Sequence, residues 1–203
     1  MLGNFFGVVE IMSQDRRFRP KQTEALLSIY QSLLGPGNFQ EKARLVTKEL
    51  ARLARVEWVA FRLPDPEGKG LRLYAEAGSE LPDSPISQVL PYDIGLVGRA
   101  FQSGFPITAN DYPNDANAMP EFVERGQKSV LSLPINVEGR ILGVVLIASK
   151  KIGYFTDDRV RLMISIVDAL GPPLEIARLR EERERAEQSA VLRTEELAAM
   201  FEI

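Results

Sequence analysis

The sequence predicts an α+β fold in which β-hairpins form an antiparallel sheet and helices cover it. Residues 129–136 and 141–149 are two short apolar runs rich in β-branched residues, and the residues between them include Gly139. This pattern is typical of a hairpin with a tight turn. A helical pattern follows the hairpin, and a second pair of strand-like runs precedes it. These three observations favour strands and helices that share one core.

The hairpin at 129–149 is expected to lie in the centre of the sheet. Residues 141–148 are apolar at nearly every position apart from Gly143. Because the alternation of a half-exposed strand is absent, both faces of this strand are predicted to be covered. The short turn leaves no room for a crossover, so the two strands are predicted to be adjacent and antiparallel.

A helix is predicted to follow the hairpin. Thr156 is a candidate N-cap, and Asp157 and Asp158 place acids in the first turn. Apolar residues then recur at spacings of three and four until Gly171, where Pro172 and Pro173 follow. We therefore predict a helix that ends near Gly171, an interruption at the two prolines, and a further helix to the end. The apolar positions are Val160, Met163, Ile164, Val167 and Leu170.

The middle of the chain combines regular elements with a long irregular stretch. Residues 39–56 follow a turn cluster and show an amphipathic helical pattern, and residues 57–63 and 71–75 read as a second hairpin. Residues 78–129 are rich in proline, with a short helical piece at 96–103 and a strand-like piece at 106–109. A stretch of this kind inside a compact domain is typical of a binding loop or lid.

The N-terminal residues repeat the second strand of the central hairpin. Residues 5–13 read F-F-G-V-V-E-I-M-S, beside I-L-G-V-V-L-I-A-S at 141–149. We interpret residues 1–20 as the remnant of a preceding domain of the same kind, with a helix at 21–34 that continues into the next domain. The alternative is that residues 5–12 form an extra edge strand of the main domain.

The C-terminal residues 181–203 are predicted to be helical and to form a coiled-coil linker. The seam is interrupted by two arginines, which weaken it. The alternative is a single solvated helix held by Glu/Arg pairs four residues apart. Position a would hold Ile176, Arg183, Ala190 and Leu197, and position d would hold Leu179, Ala186, Arg193 and Met200.

Composition excludes several classes of function. The net charge is −3 with acids and bases interspersed, so no basic field for nucleic acid is expected. No apolar run reaches the length of a membrane span, and no signal peptide is recognised at the N-terminus, so a cytoplasmic protein is expected. The chain has no cysteine and no histidine. Thiolate nucleophiles, the usual zinc sites and histidine-ligated haem are therefore excluded.

Two glycine-containing segments stand out: G-x-x-G-x-A…G-x-P, from Gly95 to Pro106, and L-P-I…G-x-x-x-G-V, from Leu133 to Val144. Together they resemble the GAF family. The resemblance covers residues 22–180, and residues 181–203 look like a linker to an output domain. It implies a six-stranded antiparallel sheet, with the first and last helices on one face and a pocket built from loops on the other.

The resemblance also limits the cofactor. Bilin-binding members need a cysteine, and haem-binding members generally use a histidine, so neither cofactor is expected here. The N-K-x-F-x-x-x-D-E signature of cyclic-nucleotide-binding members is absent. No cofactor is identifiable, and an unknown small-molecule ligand is expected.

Nine residues are candidate ligand contacts. The glycines at 95 and 98 offer backbone amides at a helix start, although they also fit a tight turn. Residues 110–113 offer polar groups at a pocket mouth, although the same residues are ordinary turn formers. The candidates are Leu96, Arg99, Phe101, Asn110, Asp111, Tyr112, Phe122, Ser129 and Leu131.

The function expected from the resemblance is regulatory. We expect a non-catalytic sensory domain that forms a homodimer through its terminal helices and relays its state to an output domain such as a histidine kinase in a two-component system. No catalytic or metal residues are assigned, because no nucleophile, base and orienting group come together in the sequence. The alternatives are a structural dimerisation spacer without a ligand, and a regulatory module of a cyclase or transcription activator.

Overall fold

Six strands form one antiparallel sheet in the computed structural model, which describes residues 27, 29–78 and 89–201. The order across the sheet is β3-β2-β1-β6-β5-β4. The predicted α+β fold is thereby confirmed, while the proposed repeat at 1–20 and its alternative strand at 5–12 lie outside the described residues. The strands are β1 (Trp58–Pro64), β2 (Leu71–Gly78), β3 (Val89–Leu90), β4 (Ile107–Ala109), β5 (Ser129–Val137) and β6 (Arg140–Ser149).

The central hairpin is formed by β5 and β6, as predicted. Val137 pairs with Arg140, so Glu138 and Gly139 alone make the turn, with φ angles of 52° and 82°. Two positive φ angles are typical of the type I′ turns that match the twist of a hairpin. Strand β6 then pairs antiparallel with β1 on its other side, and nearly every residue of β6 is buried.

One face of the sheet is covered by long helices, which we call the helix layer. It consists of α1 (Phe39–Ala54), the helical residues 29–34 and the first part of α4 (Asp157–Phe201). Helix α1 begins where the Asn38 side chain accepts a hydrogen bond from the Glu41 amide at 2.8 Å, and it ends at Arg55 in the left-handed conformation. The buried core of this layer includes Ile29, Leu33, Val46, Leu50, Val59, Phe61, Leu131, Leu133, Val145, Ile147, Ile166 and Leu170.

The predicted interruption at the two prolines is wrong, because α4 runs unbroken for 45 residues through Pro172 and Pro173. A proline removes one backbone hydrogen bond and costs about 3 kcal/mol in a free helix. Here Leu174 and Ala177 are buried directly after the prolines and hold the helix on the sheet. The helix also continues through Gly171. A Cβ at this position would lie 3.2 Å from the Asn136 carbonyl oxygen. Glycine at this position lets α4 approach β5 closely.

The other face of the sheet is covered by short elements, which we call the cavity layer. It consists of α2 (Gly95–Ser103), a 3-10 helix (Tyr112–Asn114) and α3 (Pro120–Glu124). Helix α2 matches the predicted helical piece, while the 3-10 helix and α3 lie in the stretch predicted to be irregular. The buried residues of this layer include Trp58, Ala60, Leu71, Leu96, Val97, Ala100, Tyr112, Phe122, Val130, Val144 and Leu146.

In the described part of the chain, no helix is both long and apolar enough to cross a membrane. Helix α4 would span about 67 Å at 1.5 Å per residue. Its residues from 182 to 194 are almost all charged, polar or small, and they are exposed. This segment projects beyond the sheet.

Candidate functional site

A cavity of about 600 Å³ lies in the cavity layer, between β3, the start of α2 and the segment that leads into α3. Its volume falls within the range of about 300–1,000 Å³ that is usual for small-molecule sites. The wall is formed by Val89, Leu90, Pro91, Asp93, Ile94, Gly95, Ala116, Asn117, Ala118, Met119, Pro120 and Glu121.

The start of α2 forms one side of the cavity. Ile94 precedes the helix in an extended conformation, and its side chain makes no capping hydrogen bond. Gly98 fixes the position of the helix, since a Cβ there would lie 2.2 Å from the Tyr92 carbonyl oxygen. The rings of Tyr92 and Phe101 stack with their centroids 5.3 Å apart, which holds the other end of α2 against the same loop.

The opposite side is held by hydrogen bonds within the segment before α3. The Tyr112 hydroxyl accepts a hydrogen bond from the Met119 amide at 2.9 Å. Asp115 Oδ1 accepts from the Asn117 backbone amide at 2.8 Å and from its side-chain amide at 3.0 Å. Phe122 packs on Trp58 with ring centroids 5.3 Å apart. Hydrogen bonds and ring packing within the protein therefore fix the wall on this side.

The charges on the cavity wall are negative. Asp93 is exposed and Glu121 is half-buried, and no lysine or arginine belongs to the wall formed by the described residues. Burial raises the pKa of the nearby Tyr112 phenol, and the charges of Asp115 and Glu121 act in the same direction against the hydrogen bond from Met119. Tyr112 is therefore neutral at physiological pH.

Polar groups are buried in the sheet on the same face. Arg62 lies opposite Val144 in the register of β1 and β6, is fully buried, and donates from Nη1 to the Leu71 carbonyl oxygen at 3.1 Å. Burial lowers its pKa to about 10, although the charge of Glu76 opposes the shift. Ser132 Oγ is also buried and has no hydrogen-bond partner among the described residues. Arg62 was not among the predicted site residues, although an arginine inside an apolar strand was a visible signal.

No group of three or more metal-ligating side chains occurs in the described ranges. With no histidine or cysteine in the sequence, the polar atoms that the described residues contribute to the cavity wall come from carboxylates, an amide and the backbone. These atoms can accept hydrogen bonds from a ligand and can stabilise a positive charge, and they form no nucleophilic centre.

Comparison with known protein families gives one match. The model for the GAF domain matches residues 38–172. The chain belongs to the GAF domain family. GAF domains are generally regulatory or sensory modules, which agrees in kind with the function expected from the sequence. A comparison with curated proteins found no match.

Solved structures show the same fold at low sequence identity. A free methionine-R-sulfoxide reductase from Neisseria meningitidis, in complex with its substrate, is 18% identical with a TM-score of 0.66 over 77% of this chain and 90% of that chain. The GAF domain of an Acinetobacter phosphoenolpyruvate-protein phosphotransferase is 18% identical with a TM-score of 0.64 over 80% and 97%. The nlh2 GAF domain of A. Aeolicus, in an inactive state, is 22% identical with a TM-score of 0.62 over 75% and 94%. At these identities the likeness concerns the fold alone.

None of the nine predicted contact residues belongs to the cavity wall that the described part of this GAF domain forms. Several lie in the layer that supports the wall, and they are buried or half-buried. Arg99 and Asp111 are exposed, and Leu131 is buried on the helix-layer face of the sheet. Their direct contact with a ligand stays a prediction. The supporting residues are Leu96, Phe101, Tyr112 and Phe122.

The remaining two predicted residues, Asn110 and Ser129, lie where β4 and β5 meet the loop before α4. The Asn110 side chain bonds to the backbone of Phe155, and Ser129 Oγ bonds within the same loop. Four of the nine predicted residues thus lie behind the cavity wall, and the residues of the wall itself were not predicted. Pro91 and Pro120 mark the two segments that form the wall, and prolines in a loop were the available signal.

Proposed function

We propose that this chain is a non-catalytic regulatory GAF module that binds a small neutral or cationic molecule in the cavity. Its state passes through α4 to an output domain such as a histidine kinase. The observation that carries the proposal is the cavity between β3, α2 and α3, whose wall combines an apolar surface with acceptor groups. This combination is typical of sites that bind an apolar body and fix its orientation with few polar contacts.

The sign of the charge on the wall favours one class of ligand. The carboxylates of Asp93 and Glu121 carry two negative charges, whereas the start of α2 contributes about half a positive charge. An anionic ligand would meet net repulsion, while an amine would meet attraction. We therefore propose a neutral or positively charged ligand. A cyclic nucleotide, which carries a phosphate, fits the wall less well.

A matched series of compounds tests the proposal. The compounds 3-phenylpropylamine, 3-phenyl-1-propanol and 3-phenylpropionate share one apolar body and differ in charge. Binding is measured by thermal shift and by the fluorescence of Trp58, which packs on Phe122 of α3 and is the single tryptophan of the chain. We expect the amine to bind at least about tenfold more tightly than the carboxylate, with the alcohol in between.

The Glu121→Gln variant is the matched control for this series. It keeps the size of the side chain and removes one charge, so the advantage of the amine should shrink while the affinity for the alcohol stays the same. If the carboxylate binds best, the proposed ligand class is wrong. If none of the three compounds changes melting or fluorescence at millimolar concentration, the spacer without a ligand becomes the better description.

A non-catalytic role agrees with the composition. The methionine sulfoxide reductase that shares the fold is an enzyme, so the fold alone allows catalysis. The present chain has no cysteine and therefore no thiolate for redox chemistry of the thiol–disulfide type. This supports regulation as the function of this GAF domain.

The proposal includes a homodimer that forms through the terminal helices. Leu179 is 48% exposed on α4, at a predicted position d of the coiled coil. Two polar contacts fix this part of α4 against the start of the domain. Arg180 Nη1 donates to the Leu34 carbonyl oxygen at 3.0 Å, and Glu181 Oε2 accepts from the Phe39 amide at 2.5 Å. A dimer seam that starts here would be rigidly connected to the helix layer.

Sedimentation in the analytical ultracentrifuge tests whether two copies of α4 dimerise along the predicted coiled-coil seam. Arg183 and Arg193 occupy core positions in the predicted register, and the side chain of Arg183 is 80% exposed beside Glu187. Replacing both arginines by leucine should tighten dimerisation at least about tenfold, since charged residues at these positions cost stability. If the double variant and the parent chain dimerise equally in analytical ultracentrifugation, the register is wrong.

A further inference from the structure

Asn110 binds the loop that leads into α4. Its side-chain Nδ2 donates to the Phe155 carbonyl oxygen at 2.9 Å, and its Oδ1 accepts from the Phe155 amide at 2.9 Å. Its own carbonyl oxygen accepts from the Gly153 amide at 2.8 Å. Asn110 directly follows β4, and Phe155 lies two residues before the start of α4. One side chain therefore sets the backbone position from which α4 begins.

Ser129 and Tyr154 complete this contact, and we call Asn110, Ser129, Tyr154 and Phe155 the clasp. Ser129 Oγ lies 2.7 Å from the carbonyl oxygen of Lys151 and accepts from the Tyr154 amide at 3.2 Å. The Tyr154 hydroxyl lies 2.8 Å from the Ala54 carbonyl oxygen at the end of α1. The clasp thus connects the cavity-layer edge of the sheet with both long helices.

The clasp is also connected to the cavity wall through a short ordered segment. The residues after Asn110 form the 3-10 helix, where the Tyr112 amide donates to the Lys128 carbonyl oxygen at 2.9 Å. The Tyr112 hydroxyl accepts from the amide of Met119, which belongs to the wall. Hydrogen bonds at both ends of this segment therefore form a continuous path from Met119 to Asn110.

We propose that the clasp couples occupancy of the cavity to the start of α4, with Asn110 as the positioning residue. The proposal rests on the proposed ligand-binding function. A molecule in the cavity that displaces Met119 strains the hydrogen bond to Tyr112 and favours opening of the bonds between Asn110 and Phe155. A ligand shifts such an equilibrium by its different affinity for the two states. Opening of the clasp releases the backbone before α4, and this is the signal that reaches the helix.

A tethered probe can fill the cavity although the natural ligand is unidentified. The chain has no cysteine, so Met119→Cys introduces a single thiol in the wall. Benzyl methanethiosulfonate converts this thiol to a mixed disulfide and releases methanesulfinate. Mass spectrometry reports the extent of labelling, and the fluorescence of Trp58 reports whether the benzyl group reaches the packing around α3.

Hydrogen exchange at residues 156–165 is the readout of the coupling. Labelling should speed exchange there by about fivefold, the factor that corresponds to the net contribution of about one hydrogen bond. In the Asn110→Ala background the clasp is already open, so exchange is fast before labelling and labelling adds less than about twofold. Asn114→Ala is the matched control, because Asn114 lies in the same segment and its side chain contacts Asp111. This variant should respond to labelling as the parent does.

The outcomes distinguish a failure of the coupling alone from a failure of the ligand-binding function. If labelling changes the fluorescence of Trp58 and leaves exchange at 156–165 unchanged, the coupling is refuted and the cavity keeps its proposed role. Equal acceleration in the Asn110→Ala background refutes the role of Asn110. If the thiol stays unreactive, or its reaction leaves the fluorescence unchanged, both proposals fail. Should Asn110→Ala not fold, Asn110→Asp keeps the acceptor for the Phe155 amide, removes the donor, and is expected to give the same loss of coupling.

Discussion

The helix layer and the cavity layer differ in whether their buried polar side chains have hydrogen-bond partners. In the helix layer, buried Thr47 donates to the Arg44 carbonyl oxygen at 2.9 Å, and Lys42 donates to the Gly35 carbonyl oxygen at 2.6 Å. In the cavity layer, the buried hydroxyl of Ser132 has no hydrogen-bond partner among the described residues, and a cavity of about 600 Å³ is present. The helix layer is packed for stability, whereas the cavity layer retains space and a buried hydroxyl that has no partner among the described residues.

This difference follows from the lengths of the elements. Helix α1 has 16 residues, whereas α2 and α3 have 9 and 5 residues. A helix of one or two turns buries little apolar surface and gains little from cooperative hydrogen bonding. The cavity layer is therefore expected to open locally while the helix layer stays folded. The proposed binding site lies in this weaker layer, where a ligand can change the local structure while the rest of the domain stays folded.

The largest effect is expected from a charge in the core of the helix layer. Val145 is 1% exposed, and Val145→Asp would bury a charge without a partner, which we expect to unfold the domain at a cost above about 5 kcal/mol. Val191→Asp is the control, because Val191 is 57% exposed on α4 and should tolerate the same change. Circular dichroism at 25 °C compares the two. A folded Val145→Asp variant with unchanged melting would refute the burial of this strand.

Leucine truncations compare the two layers directly. Both side chains are buried: Leu50 in α1 is 0% exposed, and Leu96 in α2 is 3% exposed. We expect Leu50→Ala to cost about 4 kcal/mol and Leu96→Ala about 2 kcal/mol, since the surroundings of Leu96 adjoin a cavity and can relax. Urea denaturation measures both free energies of unfolding. Equal costs would show that the cavity layer is as rigidly packed as the helix layer.

Replacing either of two serines of β5 by alanine should change the free energy of unfolding, but in opposite directions. Ser129→Ala removes the acceptor of the buried Tyr154 amide and should cost about 1–3 kcal/mol. Ser132→Ala removes a buried hydroxyl without a partner and should raise the free energy of unfolding by about 1 kcal/mol. The comparison uses the same denaturation assay. A loss of stability in Ser132→Ala would show that its hydroxyl has a partner, such as ordered water.

The smallest effect concerns an ion pair between α4 and the central hairpin. Burial alone would raise the pKa of Glu175, but its bonds to Arg178 and Arg140 outweigh burial and hold the pKa below the usual value of 4.5. Glu175 therefore adds stability above pH 4.5, and this stability is lost as the pH falls through the lowered pKa of the folded state. We expect Glu175→Gln to reduce the acid dependence of unfolding by less than about 1 kcal/mol. An equal acid dependence in Glu175→Gln and in the parent chain would contradict the lowered pKa of Glu175.

The helix layer and the central strands could be predicted from the sequence because their pattern is local. The hairpin around Gly139 and the helix at 39–56 depend on spacing and turn residues that are visible along the chain. The continuity of α4 could not be predicted, because it depends on the burial of Leu174 and Ala177 against the sheet. Tertiary packing there outweighs the local preference of two prolines to end a helix.

The cavity wall could not be predicted because its shape depends on contacts between segments that are far apart in sequence. Strand β3 has only two residues, and the wall adds a segment that begins at residue 116. The polar residues Asn110 and Ser129 were recognised as candidates, but their bonds to residues 151–155 became visible only in the folded chain. The sequence pattern predicts that such a loop contributes to a pocket, and the fold decides which residues face the cavity.

Native-state hydrogen exchange tests the difference between the layers most directly. Amides of β1, β6 and α1 should exchange only through global unfolding, so their opening free energies should equal the free energy of unfolding from denaturation. Amides of α2, the 3-10 helix and α3 should exchange through local opening, with free energies lower by at least about 2 kcal/mol. Equal opening free energies in both layers, falling together as denaturant is added, would contradict the account of a stable helix layer and a responsive cavity layer.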